Sequence, residues 1–400
     1  MHVSARTLID LFAGAGGLSD GLQNAGFKAL YANEFETTFA STYAFNHPDT
    51  VVESTDIRNV DARAVRIGLG LKQGDLTLLA GGPPCQGFSI NAPARRESDK
   101  RNHLFRDYLR FVDEFQPLAV LIENVPGLVS FSGGATLEAI LEALEQLGYA
   151  SDVQILYAPH FGVPQTRWRT IVLGFRDGVD PTSAFPSPRH AAPARVNFTS
   201  RLGGRRLVRI PTDQNLRRHT TVRESLDDLP FPGTGEEPTE GQQYRTEAQN
   251  EYQARLRVGS SAIRNHVASR LSALQLERLR HIPPGGNWTN IPRELLPSGM
   301  QRARTSDHTK RYGRVHPDGL ASTILTKCDP HWGAYYHYAQ DRAFTVREAA
   351  RLQSFRDSYL FLGNRADQYR QVGNAVPPLL AQAIGASIAA RLDLADRASA

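Results

Sequence analysis

The 400-residue sequence has only two cysteines, Cys85 and Cys328. Two thiols cannot hold a metal ion by themselves and do not suggest a disulfide framework, so no metal is expected and a reducing cytoplasm is the expected setting. No basic-then-apolar leader opens the chain, and no uninterrupted apolar run is long enough to span a bilayer. A soluble intracellular protein follows from both. Internal repeats and extended low-complexity tracts are also missing. The glycine-rich stretch near the start lacks full Gly-x-Gly-x-x-Gly spacing and has no Gly-Lys-Ser/Thr ending, which argues against a nicotinamide enzyme and a phosphate-loop ATPase.

What the chain does have is patterned in two ways. Through residue 186, short apolar runs alternate with amphipathic stretches, the signature of a mostly parallel, doubly wound α/β sheet. Residues 7–12, 76–80, 118–123, 153–157 and 170–175 read as strands. Phe105, Tyr108, Leu109 and Val112 recur at helical spacing, as do Leu137, Ile140, Leu141 and Leu144. From 187 to 341 the pattern breaks into Pro, Gly, Arg and His, and an irregular, smaller second domain is expected there. Residues 342–400, with helical patterns at 346–355 and 378–392, are expected to return to the first domain. The net charge of +5 is regional: 23 Lys and Arg face 15 Asp and Glu between 187 and 341, against 23 and 26 elsewhere. Such a module attracts phosphate backbones by releasing their counterions, an ordinary solvated surface being the alternative.

Three constellations carry chemistry. First, Asp10-Leu11-Phe12-Ala13-Gly14-Ala15-Gly16-Gly17-Leu18 is a strand, a glycine turn and a helix start, where a nucleotide-like ligand can lie against backbone amides. Glu34 ends the next strand, where a carboxylate can hold ribose hydroxyls, and Asp56 could accept from an adenine amino group. Second, Gly82-Pro83-Pro84-Cys85-Gln86-Gly87-Phe88-Ser89 presents a thiol just past the strand at 76–80. A nucleophile belongs in such a loop, although a buried cysteine can also be simple core. Third, Glu123-Asn124-Val125 ends an apolar strand, where lost hydration would favour a carboxyl able to donate a proton. Gln165-Thr166-Arg167-Trp168-Arg169 sets two arginines at alternating positions, so both can face one side. An ion pair between Glu123 and one of these arginines is the structural alternative.

The order of these motifs, together with Arg347-Glu348, Arg351-Leu352-Gln353-Ser354-Phe355 and Gln371-Val372-Gly373-Asn374-Ala375-Val376-Pro377-Pro378, resembles the DNA (cytosine-5)-methyltransferase family of the bacterial restriction-modification type. The likeness covers the whole chain. It implies the S-adenosylmethionine-dependent methyltransferase fold: a catalytic and cofactor-binding domain at 1–186, a target-recognition domain at 187–341, and a return segment at 342–400. It implies that Cys85 adds to carbon 6 of a cytosine flipped out of a short duplex site, that Glu123 protonates the ring, and that Arg167 and Arg169 orient the base and the cysteine loop. S-adenosylmethionine would lie against Phe12, Gly14, Gly16, Leu18, Glu34, Asp56, Ile57, Pro83, Leu104, Asn374 and Val376. Gln86, Ser89, Arg205 and Arg206 would touch DNA, and residues 91–103 resemble a mobile active-site loop. Double-stranded DNA is the implied partner of a cytoplasmic monomer working on nucleoid DNA, with a cognate restriction endonuclease possible. The neighbouring alternatives are a tRNA cytosine-5 methyltransferase, whose Cys-Phe-Thr signature is missing here, and a catalytically silent DNA-binding regulator. One departure is Arg356 before Asp357, where the family commonly has proline; it is expected to alter a helix end and not the chemistry.

Overall fold

In the computed structural model, residues 6–83, 104–213, 215–233, 241–307 and 309–399 are described. Cys85, Gln86, Ser89 and the segment 91–103 lie outside the described residues. The chain divides into two compact units, one formed by residues up to Phe161, Trp168–Arg217 and Pro378 onward, the other by Gly162–Arg167 and Arg218–Pro377.

The first unit is built on a seven-stranded sheet. Its strands are β1 (Arg6–Leu11), β2 (Phe27–Asn33), β3 (Val51–Glu53), β4 (Leu78–Gly81), β5 (Ala119–Asn124), β6 (Ala150–Tyr157) and β7 (Trp168–Phe175), in the order β3-β2-β1-β4-β5-β7-β6. Strands β1 to β5 pair in parallel, whereas β7 runs antiparallel to both β5 and β6. The mostly parallel, doubly wound α/β fold expected from the alternation is therefore present, with one reversed strand that periodicity does not reveal. Helices α1 (Gly17–Asn24), α2 (Thr37–Asn46), α3 (Ala62–Gly68), α4 (Leu104–Phe115) and α5 (Ala135–Gln146) follow the strands. Leu79, Val120, Ile122, Phe111, Phe115 and Leu144 are buried in one hydrophobic core. Each such side chain contributes about 1.5–3 kcal/mol by leaving water.

Helix α11 (Pro378–Ser399) packs against α1 in the same unit. A Cβ at Gly21 would land on the Pro378 carbonyl and the Ala381 methyl, so only glycine lets the two helices approach this closely.

In the second unit, α6 (Val222–Leu226), α7 (Glu251–Leu256), α8 (Ala273–Arg280), α9 (Val346–Leu352) and α10 (Arg365–Asn374) are short and separated by irregular chain. Its interior holds ionic contacts as well as apolar ones. Arg351 has no exposed side-chain surface and donates from Nε and Nη2 to Asp357, at 2.9 and 2.7 Å, from Nη2 to Asp228 at 3.1 Å, and from Nη1 to Asp228 and the Ser225 carbonyl. Asp357 also accepts from the Tyr244 hydroxyl at 2.9 Å. The aspartate beyond Arg356 thus has a structural task that the missing proline does not disturb.

The units part elsewhere than at 186/187 and 341/342. Leu207 and Val208 enter the sheet core, and the Ile155 amide donates to the Leu207 carbonyl at 2.8 Å, so the stretch to 217 stays with the sheet. Helix α9 is held by Asp228 through Arg351, which keeps 346–377 in the second unit. By length and composition two stretches, Pro126–Gln146 and Arg365–Ala395, could cross a bilayer, contrary to expectation. Neither is one α-helix. Phe131, Ser132 and Gly133 have non-helical backbone in the first, and residues 375–377 separate α10 from α11 in the second.

Candidate active site

Strand β1 ends in a turn that only a small, permissive sequence can make. Phe12, Gly14 and Gly16 have positive φ values of 58°, 58° and 92°, and α1 starts immediately after. The Gly14 amide donates to Glu34 Oε2 at 2.8 Å, while Glu34 Oε1 accepts from the Glu36 amide at 2.8 Å. The acid expected at the end of β2 therefore fastens the glycine turn. Phe12 and Leu104 pack at the margin of the core cluster that contains Ile57, and Leu18 is buried in α1. Asp56 is drawn elsewhere: it caps the turn Ile57–Asn59 and accepts from the Arg58 amide at 3.1 Å and Arg58 Nε at 2.9 Å. The hydrogen bonds from Arg58 hold its carboxyl below the usual range, against a smaller opposing effect of burial.

Three residues beneath this turn went unmarked by sequence reading. Asp10 is fully buried, and its Oδ2 accepts from Ser19 Oγ at 2.6 Å, which in turn accepts from the Tyr43 hydroxyl at 2.7 Å. Burial raises the Asp10 pKa to about 7, with Glu34 and Glu123 adding to the rise and the Ser19 hydrogen bond opposing it. The signal was in the sequence as Asp10 and Ser19 flanking the glycine turn, but Tyr43 is remote from both. A fourth missed residue is Phe35, which follows Glu34 and is 66% exposed.

Strands β4 and β5 run side by side to the next cluster, with Gly81 opposite Ile122. At their carboxyl ends Glu123 and Arg169 form a close ion pair, each side chain about one-tenth exposed. Antiparallel β7 makes this possible, because it returns Arg169 beside the end of β5. Burial lowers the pKa of Arg169, and the adjacent Glu123 charge opposes that fall. The structural alternative for Glu123 is thus realised with Arg169. The Asn124 side chain donates to the Pro83 carbonyl at 3.1 Å, pinning the approach to the cysteine loop beside Glu123. Gly82 lies so near that a Cβ there would be 3.1 Å from Glu123 Oε2.

Arg167 does not share the Arg169 partner. It belongs to the second unit, where it is buried and donates to the carbonyls of Ile324 at 3.1 Å, Gly373 at 2.9 Å and Ala375 at 2.8 Å. A guanidinium so surrounded clamps backbone, which departs from the expected role in orienting the base. The carbonyls it holds flank Asn374, which is exposed at the end of α10, and precede the buried Val376.

Arg205 and Arg206 form one side of a hairpin with Arg201–Leu202, turned by Gly203 and Gly204 with positive φ. Arg205 pairs with the buried Asp152 of β6, while Arg206 is exposed. Trp288 is buried among Leu279, Ile282 and Tyr336, and its indole donates to the Asp307 carbonyl at 3.1 Å, so its role is structural. Cys328 is buried and free, with its thiol pKa pushed up chiefly by desolvation, as suits an inert side chain. Among the described residues no group of three or more His, Cys, Asp or Glu is placed to hold a metal.

The chain matches the family described as C-5 cytosine-specific DNA methylase over residues 6–390. It is 36% identical to the Type II methyltransferase M.AgeI of Thalassovita gelatinovora, over 95% of this chain and 98% of that one. It is 34% identical to M1.HphI of Haemophilus parahaemolyticus, with 97% and 88% covered. Among solved structures, one from an E. coli prophage, named as a DNA modification methyltransferase, superimposes with a TM-score of 0.74 at 23% identity. That match covers 97% of this chain and 99% of the other, and it establishes likeness of fold.

Proposed function

The chain belongs to the C-5 cytosine-specific DNA methylases of the bacterial restriction-modification type and transfers a methyl group to carbon 5 of cytosine in DNA, and from that premise we propose that it does so through a covalent Cys85 adduct with S-adenosylmethionine as donor. The observation that carries this reading is the pinning of Pro83 to Asn124, two residues ahead of Cys85 and next to Glu123. Pro83, the last described residue before Cys85, is thereby held beside the carboxyl group at the ends of β4 and β5, where open α/β sheets bind ligands.

Carbon 5 of cytosine is too weak a nucleophile to take a methyl group unaided. The Cys85 thiolate adds to carbon 6, and the electron pair of the ring double bond moves toward N3 and carbon 5. Glu123, as the acid, supplies the proton at N3, which quenches the arriving charge. Arg169 holds the carboxyl in place and balances its charge once the proton has gone. Carbon 5 is then nucleophilic and takes the methyl group. Loss of the carbon 5 proton to a base expels the Cys85 thiolate, the N3 proton returns to Glu123, and the ring is restored. The base must leave the stack to reach these groups.

The residues fit a nucleoside-type donor. Gly14 is partly exposed with open space where a Cβ would stand, Glu34 supplies a carboxylate, Phe12, Ile57 and Leu104 supply apolar surface, and the exposed Phe35 offers a ring face for a purine. When bound, the donor supplies an electrophilic methyl on a sulfonium. Leu18 and Pro83 complete the set that we assign to it in the sheet unit, and Asp56 reaches it only by sharing its carboxylate with Arg58. Gln86, Ser89 and Arg206 are assigned to DNA. We assign the second unit to recognition of a short duplex site, and the working form to a monomer in the cytoplasm, since a single flipped base requires no second subunit.

The test is a duplex of mixed sequence with 5-fluorocytosine replacing cytosine, incubated with the donor. Fluorine cannot leave as a proton does, so the wild type should form a denaturant-stable protein–DNA adduct, and Cys85→Ser should form none. Equal trapping by Cys85→Ser would overturn the assignment.

A further inference from the structure

The segment from 188 to 217 contains seven arginines and a single acid, Asp213. All seven arginines are exposed. The surplus is thus much denser here than in the rest of the basic region, and it sits on the sheet unit, not on the irregular one.

The segment is fastened along the outer edge of the sheet. Its ends meet where the Arg217 amide donates to the Arg189 carbonyl at 3.2 Å. Between them, the Tyr157 hydroxyl donates to the Pro193 carbonyl at 2.9 Å, Phe198 packs edge-on against Trp168 at 5.4 Å, and Leu207 pairs with Ile155 of β6, the last strand in the order. Leu202, Leu207 and Val208 face the core, whereas Val196 and Ile210 are exposed beside the arginines. Arg205 pairs with buried Asp152, which fixes the hairpin and leaves Arg201 and Arg206 projecting from it.

An arm held by Phe198, Leu202, Leu207 and Val208 with its arginines in solvent repels itself unless an anion is supplied. We propose that this arm is a clamp for the phosphate backbone of duplex DNA, binding independently of sequence while base reading is done elsewhere. The proposal deepens the DNA-methylating role and rests on it. Phosphate contacts set register and orientation without carrying sequence information, and each neutralised phosphate steepens the dependence of affinity on salt.

The test uses the full chain with Arg195→Gln, Arg201→Gln and Arg206→Gln combined, three exposed positions outside the core. Affinity for a mixed-sequence duplex is measured by fluorescence anisotropy across a salt series. The methylated site is mapped by bisulfite sequencing of plasmid from a methylation-free host. The expected result is a slope of log affinity against log salt reduced by about 2 to 3, at roughly 0.9 per phosphate contact, with the same cytosines methylated and an unchanged melting temperature. An unchanged slope would show a merely solvated surface and overturn the clamp. A changed set of methylated cytosines would show base reading and overturn it equally. Should the wild type fail to methylate any duplex DNA, the parent reading falls; if it methylates and only the slope is unaffected, the arm alone is refuted.

Discussion

Each unit holds an arginine against carboxylates out of water, yet the two arrangements are built for opposite ends. In the second unit, Arg351 is wholly enclosed, and Asp228, Asp357 and the Ser225 carbonyl answer its donors. In the sheet unit, Arg169 meets one carboxylate, Glu123, at the mouth of two strands with some surface still accessible. A saturated network has no capacity left for a visitor. A single pair at a strand end keeps lone pairs and a proton site in reserve, and Gly82 keeps the space beside it open. Burial and ion pairing alone therefore do not separate the two clusters; among the described residues, the hydrogen-bonding capacity left at Glu123 does.

The contrast is sharpest under substitution. Glu123→Gln should lower the turnover number by about 10²–10⁴-fold, the usual worth of a general acid, with little change in melting temperature; a large loss of stability with normal turnover would reverse the roles given to the two arginine sites. Arg351→Met leaves Asp357 without its cation and Asp228 with only Arg257, and should destabilise the second unit by about 3–5 kcal/mol, read from urea unfolding, while donor binding by folded protein stays normal. Glu34→Gln removes a charge and one of the two acceptor oxygens that hold the Gly14 and Glu36 amides, so the Michaelis constant for the donor should rise about ten-fold or more with turnover less affected.

The smallest effect concerns Asp10. Its folded pKa of about 7 lies above the unfolded 3.8, so the native state binds the extra proton and wild-type stability falls as pH rises between those values. Asp10→Asn mimics the protonated form. Its melting temperature should gain on the wild type as pH goes from 5 to 8, by a few degrees, and a constant difference would show that Asp10 does not titrate there.

The strands of the sheet were readable because their burial leaves apolar runs, and the glycine turn because its residues demand positive φ. Glu34 and Glu123 were readable for a related reason: a carboxylate at the end of an apolar strand is conspicuous. What escaped depends on partners distant in sequence. Nothing near Arg167 announces the carbonyls of Gly373 and Ala375, and nothing near Arg205 announces Asp152. Likewise, the attachment of 187–217 to the sheet rests on contacts such as Ile155 with Leu207, Tyr157 with Pro193 and Trp168 with Phe198, which leave no periodic trace. The parting of the units at 217 and 377, not at 186 and 341, follows from such contacts.

The packing of α11 on α1 bears on how the protein is made. Gly21 emerges from the ribosome early, but the Pro378–Ala381 surface that covers it is synthesised only after all of Arg218–Pro377. At ordinary elongation rates that interval is about 10–30 s. Throughout it the glycine turn and its helix stand without their outer layer, so the first unit is completed only after the second has been synthesised.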